Sequence, residues 1–439
     1  GGFWGHEFKK FFFFFFLFLI AMSTKVPRAK SSSIVGSSED IPPHYNKDDP
    51  NLSWFYQPHS ITILILSGII LVYVAFNSEH YGSSNPTLFG LGAMSLVFLV
   101  FSMVQMRDGL FRRPHAVFWR IVMGMAVLYL CLLVFLLFQT PDFARQLLVN
   151  IDPELGVQLP ERSYADDCRL YTPENPESSF YNFKATLLDE FILAHFIGWW
   201  LKAMMFRDVY FCWATSVLFE LLEITFAHWL PNFKECWWDH VILDVFVCNA
   251  AGIYLGIKTC RYLEVKEYDW AGNPPKRNVM VALRKGVRQL SPKQFDPFHW
   301  DVFSSGKRFL IICLLVVLIE IVELNAFFLK FVLWIPPPHY LNVLRLILWF
   351  FIGMPAIRES YQFATQSSCK RLGSMAWLAS AILGTEVLIC IKYGKGMFPA
   401  PWPQHIVIAW SVVLGLFAAW ILFYWGYWVW RKKPKTKQQ

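Results

Sequence analysis

From Ile61 to Trp430, long apolar runs alternate with short polar stretches. A helix needs about 20 predominantly apolar residues to cross the hydrocarbon core. The pattern predicts helices at Ile61–Phe76, Pro86–Met106, Val117–Phe138, Phe191–Met205, Val209–Phe226, Val241–Ile257, Phe309–Phe331, Tyr340–Ile357, Gly373–Ile391 and Ile406–Trp430. The expected fold class is all-α: a polytopic integral membrane helical bundle of about ten transmembrane helices. Loops are expected near 139–189 and 258–308 and at Pro336–Pro338. Upstream, Ser23–Ser53 is rich in Ser, Pro and charge and reads as disordered. The Phe11–Phe16 run behind Lys9 and Lys10 reads as translated leader rather than a working helix, so residues 1–21 stay outside the fold argument. The expected organisation is a disordered cytosolic segment over 1–53, a membrane-embedded catalytic domain over 54–430 and a basic cytosolic tail over 431–439.

Composition agrees with that picture. The chain is 55% hydrophobic and only 16% charged, where a soluble domain carries roughly 25% charge. Its net charge of +8 is spread over many loops between apolar segments, which argues against a nucleic-acid partner. The basic residues also choose an orientation. With both termini cytosolic, the Met106–Arg120 turn, the Lys258–Arg308 loop and the Arg431–Lys437 tail all fall on the cytosolic side. The ending Lys435-Thr436-Lys437-Gln438-Gln439 resembles a dilysine retrieval signal for the endoplasmic reticulum, or is a plain basic tail at an anionic membrane face. Nine cysteines, an odd number lying mostly in apolar runs, do not make a disulfide framework. Cys131, Cys212, Cys248, Cys313 and Cys390 read as small buried hydrophobes.

The candidate chemistry lies where lipid should forbid it. Ionisable groups inside spans are costly and usually functional. Glu220 and Glu223 are three apart on one helix face. His195 lies early in its helix, and the helix after the next turn carries His240, Asp244 and Asn249. In the orientation above, His195, Glu220, Glu223 and Asp244 all fall in the lumenal half. Clustered carboxylates in a low dielectric must protonate or share a cation. An oxygen set of Glu, Asp and Asn suits a hard ion, Ca²⁺ above all, and lacks the Cys/His spacing of a zinc site. Such an ion can polarise a phosphodiester oxygen, with His195 as general base. Two other readings are open on the residues alone: a polar network that only orients helices, and a proton or ion pathway. Glu320, Glu323 and Glu386 read as supporting acids that could pair with Lys330 or Lys392 or line the same cavity. The Arg112-Arg113-Pro114-His115 corner reads as a phosphate-facing surface turn.

The block Leu230-Pro231-Asn232-Phe233-Lys234-Glu235-Cys236-Trp237-Trp238-Asp239, followed by Asp244 and Cys248-Asn249, resembles the signature of the eukaryotic base-exchange phosphatidylserine synthases. The likeness runs from about Trp54 to Trp430. It takes in Arg113-Pro114-His115, Phe219-Glu220-Leu221-Leu222-Glu223, Glu323-Leu324-Asn325-Ala326-Phe327-Phe328-Leu329-Lys330 and Cys390-Ile391-Lys392. The Gln139–Glu161 segment is similar to the plant and type-2 animal branch. The resemblance implies a ten-span enzyme of the endoplasmic reticulum that swaps a phospholipid head group for L-serine, with Ca²⁺ and without nucleotide. It implies a catalytic role for His195 and roles at the calcium and phosphate site for Glu220, Glu223 and Asp244. It implies activity or serine use for Asn232, Glu235, Asp239 and Asn249, and product feedback for Arg113. The branch implies a preference for phosphatidylethanolamine over phosphatidylcholine. Two departures, Ala116 after the Arg-Pro-His triplet and Ala250-Ala251 after Cys248-Asn249, touch no matched acid.

The expected partners are therefore a phospholipid, L-serine, the membrane and a second copy of the chain. Two rivals stay open. Enzymes using CDP-diacylglycerol carry an Asp-Gly, Ala-Arg, Gly and two-Asp pattern, which Asp108-Gly109 begins and nothing continues. A cation transporter or lipid scramblase could use the same acids.

Overall fold

The computed structural model describes residues 60–76, 86–111, 115–158, 167–176, 178–187, 190–265, 298–366 and 368–432. The N-terminal segment, Arg113 and the end of the tail lie outside them. Every regular element described is helical. Each of the ten expected helices has a counterpart: α1 (Ser60–Phe76), α2 (Pro86–Gln105), α3 (Ala116–Phe138), α6 (Glu190–Phe206), α7 (Val209–Phe226), a π-helix (Asp239–Asn249) running directly into α8 (Ala250–Val265), α9 (Gly306–Leu333), α10 (Tyr340–Thr365), α11 (Ser374–Tyr393) and α12 (Gln404–Lys432). Seven of the described spans are long and apolar enough to cross a membrane, and Gly90–Gln105 and Ile192–Phe206 are shorter apolar stretches.

The 139–189 segment is not all loop. It holds α4 (Pro141–Val149) and α5 (Tyr181–Leu187). The Thr140 hydroxyl accepts from the Phe143 amide, and Pro141 sits in the first turn, where its missing N–H costs nothing. The expected 258–308 loop also begins later, because α8 runs on to Val265.

The chain divides into two compact units. The first contains α1, α2 and the start of α3. There Arg120 binds Asp108 at 2.7 Å and the Met103 carbonyl at 3.2 Å, tying α3 to the end of α2. The second unit, Met125–Val265, Gln294–Ser368 and Leu372–Gln439, holds the remaining helices and all the expected intramembrane acids.

In that unit α6 lies close against α8. A Cβ on Gly252 would meet the Phe196 carbonyl at 2.5 Å, and one on Gly256 would meet Ala203 Cβ at 2.5 Å. This is the small-xxx-small contact of membrane helices, which lets backbones approach. Below it, Trp199, Phe206, Phe211, Ile253, Trp300 and Ile312 form a buried core. Arg207, in left-handed backbone (φ 54°), and Asp208, which caps α7 through the Phe211 amide at 2.8 Å, make the short turn between α6 and α7.

Helices α3, α9, α10 and α11 meet on Glu386. Its carboxylate takes Arg345 at 2.6 Å, Tyr129 at 2.6 Å, Trp349 at 3.2 Å and Asn325 at 3.4 Å. A buried charge with every lone pair engaged ties helices together. The supporting role expected for this acid fits, with Arg345 rather than a lysine as its basic partner. Glu323 pairs instead with Lys202 at 2.9 Å, and Lys392 bonds the carbonyls of Leu137 and Gln139. Glu359 accepts from the Ala376 amide at 2.8 Å, capping α11 from outside.

One disulfide, Cys168–Cys236, joins the segment after α4 to the turn after α7. The expectation that the nine cysteines make no disulfide framework left this pair unnamed. The five named cysteines are indeed free thiols, but only Cys212 and Cys248 are buried, and Cys131 is exposed. Helix α12 buries no residue over Gln404–Tyr427, as a lipid-facing outer helix would.

Candidate active site

The site grows from four pieces of chain in the second unit: α6 brings His195, α7 brings Glu220 and Glu223, the turn after α7 brings Asn232 and Glu235, and the π-helix brings Asp239, His240, Asp244 and Asn249. The π winding matters for the last four. The Ala250 amide bonds back to the Val245 carbonyl, five residues earlier. With i→i+5 bonding each turn takes in more residues, so residues five apart come closer to one face than on an α-helix. Asp239, Asp244 and Asn249 are so spaced, and His240 is next to the first. On an α-helix, five residues diverge by about 140°. The rare winding thus turns these side chains towards one side.

His240 sits at the centre. Its Nδ1 lies 3.1 Å from Glu220 Oε2, 3.6 Å from Glu223 Oε2 and 3.6 Å from Glu235 Oε2. Only the first is a hydrogen bond; the other two are too long for one. Asn249, fully buried, donates its amide to Ser216 Oγ at 3.0 Å and to Glu220 Oε1 at 3.3 Å, so it positions Glu220 from behind. His195 Nδ1 stands 3.0 Å from Asp244 Oδ1. That contact has ion-pair length without the alignment of a hydrogen bond, since the same nitrogen lacks a hydrogen-bond partner. The His195 side chain is 26% exposed, which leaves the ring reachable from one side.

Glu220, Glu223, His240 and Asp244 are each at most 6% exposed. Among the described residues, no Lys or Arg makes an ion pair with Glu220, Glu223, Glu235 or Asp244. Glu223 Oε2, Glu235 Oε2 and Asn249 Oδ1 are buried with no hydrogen-bond partner. Unsatisfied buried oxygens of this kind are expensive unless something fills the gap. In the turn outside the spans, burial pushes the Glu235 carboxyl up to about 7; Asp244 and Asp239 add to the push and His240 opposes it.

Two overlapping donor sets can hold a metal ion: Glu220, Glu223 and His240, and Glu235, His240 and Asp244. Within each, the candidate ligand atoms lie within 4.8 Å of one another. The orphaned carboxylate oxygens fit a hard cation. The imidazole shared by both sets was not in the all-oxygen group expected from the sequence. It can serve as a hydrogen-bonding counter-charge or as a nitrogen ligand.

The other expected site residues divide. Glu235 joins the acid cluster. Asp239 opens the π-helix half-buried, near enough for its charge to act on Glu235. Asn232 makes no hydrogen bond to the acids and lines a neighbouring cleft with Leu230, Pro231, Phe327, Lys330 and Phe331. Glu320 is buried with both oxygens unpartnered, away from the candidate donor sets. The residue left out of the expected site was His240, although its place four before Asp244 puts both on one helical face.

Comparison with known proteins bears on this arrangement. The family model described as phosphatidyl serine synthase matches residues 114–394, which contain the whole cluster. CDP-diacylglycerol--serine O-phosphatidyltransferase 2 of Oryza sativa subsp. japonica is 43% identical over 397 residues, covering 89% of this chain and 93% of the relative. CDP-diacylglycerol--serine O-phosphatidyltransferase 1 of Arabidopsis thaliana is 41% identical over 384 residues, 86% of this chain and 90% of the relative. Phosphatidylserine synthase 2 of Homo sapiens is 41% identical over 378 residues, 86% of this chain and 77% of the relative. Plant and type-2 animal proteins are thus the kin that the Gln139–Glu161 segment suggested. With this likeness along most of its length, the chain is a membrane phosphatidyltransferase and belongs to the phosphatidyl serine synthase family.

Proposed function

We propose that the protein exchanges phospholipid head groups, replacing the ethanolamine of phosphatidylethanolamine, and less readily choline, with L-serine. The observation that carries this reading is the pairing of His195 with Asp244 beside acids whose oxygens lack partners, in a chain of this family. His195, oriented by Asp244, takes the proton of the serine hydroxyl. The seryl oxygen forms a bond to phosphorus, the bond from phosphorus to the ethanolamine oxygen breaks, and His195 returns the proton to that leaving oxygen. Direct displacement needs His195 only as base and acid; the alternative makes its ring the nucleophile of a phosphatidyl-enzyme. Glu220, Glu223, Glu235, Asp244 and His240 are the residues that would hold Ca²⁺. Bound there, the ion supplies Lewis acidity beside the phosphodiester.

We place the site on the lumenal side of the endoplasmic reticulum membrane, with both termini cytosolic. The Cys168–Cys236 pair supports this, because disulfides persist in oxidising compartments. Both cysteines lie on the side that the charge pattern puts in the lumen.

The names of the rice and Arabidopsis relatives favour a second reading, with CDP-diacylglycerol as phosphatidyl donor. Against it, Asp108 is engaged by Arg120 at 2.6 Å and starts no nucleotide-lipid motif. Purified protein in phosphatidylethanolamine vesicles should convert labelled serine to labelled lipid with Ca²⁺ and no nucleotide, releasing ethanolamine one for one. Labelling only when CDP-diacylglycerol is added would overturn the exchange reading. His195→Ala and Glu223→Gln should each lose about a hundredfold or more in rate; near-normal rates in both would remove this cluster from the reaction.

A further inference from the structure

The cleft beside the acid cluster has a mixed lining. Four of its lining residues, Leu230, Pro231, Phe327 and Phe331, are apolar; the other two are Asn232 and Lys330. Lys330 lies in the last turn of α9 and is only half-buried. Its Nζ stands 4.4 Å from the centre of the Phe327 ring. Among the described residues no carboxylate comes within ion-pair distance of it. Phe327 also packs on Phe219, the chain neighbour of Glu220, with ring centres 6.2 Å apart, which sets the cleft next to the cluster. Phe233 packs on Phe327 with ring centres 4.6 Å apart, so the turn bearing Asn232 is held against the helix bearing Lys330.

A cation over an aromatic ring is only partly compensated. An ionisable side chain in a membrane span without a charge partner is a candidate ligand-binding position. We infer that Lys330 binds the phosphate of the phospholipid donor in this cleft, with the Asn232 amide as second donor and the apolar walls taking the glycerol end of the acyl chains. The inference rests on the exchange reading above and names where its lipid sits. Electrostatics give the reason for a lysine here. A phosphodiester brought to a cluster of carboxylates is repelled, and a cation at the edge of the cluster offsets that repulsion. The same ammonium could meet the carboxylate of serine. The phosphate is the better fit, because only the lipid brings apolar surface for the four apolar walls.

The test compares wild type, Lys330→Gln and Lys330→Arg in detergent micelles. Binding is measured with fluorescent phosphatidylethanolamine and with diacylglycerol of the same chains, without serine. Wild type should prefer the phospholipid. Lys330→Gln should lose that preference by about ten- to hundredfold, the worth of one charge-assisted hydrogen bond, and Lys330→Arg should keep most of it. In turnover, the KM for the phospholipid surface fraction should rise in Lys330→Gln while the KM for serine stays put. An unchanged unfolding midpoint shows that the variant folds. Lys330→Gln with the wild-type lipid preference, or with a shift in the serine KM alone, overturns the inference. Wild type that binds phospholipid through Lys330 but incorporates no serine would sink the exchange reading and leave this binding site standing.

Discussion

Glu235 sits in a turn with its side chain 23% exposed, facing His240 and near Asp239 and Asp244. Its carboxyl is held up to about 7, against an ordinary value of 4.5, mainly by burial. The sign of the stability effect follows. Below about pH 4.5 the folded and unfolded states both carry the proton, and the residue costs nothing. As pH rises from 4.5 to 7 the unfolded chain ionises more readily, and the fold loses up to about 3 kcal/mol. Metal-free protein should therefore unfold at a lower temperature at pH 8 than at pH 5. Glu235→Gln should remove part of that drop, raising the midpoint at pH 8 and not at pH 5. Differential scanning measurements in chelator check this, and equal midpoints for the two proteins at pH 8 would rule it out. The residue types behind this argument were legible in the sequence: acids within a membrane domain stand out wherever they fold. The charge balance was not. His240 stands among three carboxylates through a tertiary arrangement that no residue count contains.

At the level of elements, the site depends on how closely α6 can approach the π-helix and α8. Gly252 and Gly256 form a Gly-x-x-x-Gly pair that removes side chains from the contact. A methyl at 252 would lie 2.5 Å from the Phe196 carbonyl, next in sequence to His195, and 2.9 Å from Trp199 Cβ. Neither partner is the free end of a flexible chain, so α6 must move. Gly252→Ala should cost about 1–3 kcal/mol by overpacking and should lower serine incorporation by more than its stability loss explains, because it shifts His195 relative to Asp244. An activity close to wild type in folded Gly252→Ala would show that the spacing tolerates the shift. The long helices were readable because apolar runs of spanning length admit little else. Helix α4 announced itself less clearly: Thr140-Pro141-Asp142 is a helix-start signal, yet the segment is polar enough to pass as loop. The π winding had no signal at all. Its bonding differs from an α-helix by one residue, and α periodicity scatters Asp239, Asp244 and Asn249 over different faces.

Across the whole molecule, the charge pattern and the disulfide make the same topological claim by independent routes. Basic residues bias sides through insertion, whereas Cys168–Cys236 supports the proposed side through redox chemistry. The bridge spans 68 residues, and in a free chain a loop of that length would gain about 4 kcal/mol from closure. Here α6 and α7 lie between the two cysteines and are already held by the bilayer, so the unfolded ensemble is constrained beforehand and the gain is smaller. The effect on the site should be the larger one. Cys236 follows Glu235 directly, and Trp238 donates its indole N–H to the Cys168 carbonyl at 3.1 Å. Cutting the bridge therefore frees the turn that carries Glu235 more than it loosens the bundle. Cys168→Ser should lower apparent Ca²⁺ affinity in the exchange assay several-fold with only a small change in unfolding midpoint, and Cys168→Ser/Cys236→Ser should match it. On sealed microsomes, a membrane-impermeant maleimide should label neither cysteine of the wild type before reduction, and should label the pair after reduction only once the vesicles are permeabilised. Labelling of the reduced pair in sealed vesicles would put this face, and the acid cluster with it, in the cytosol.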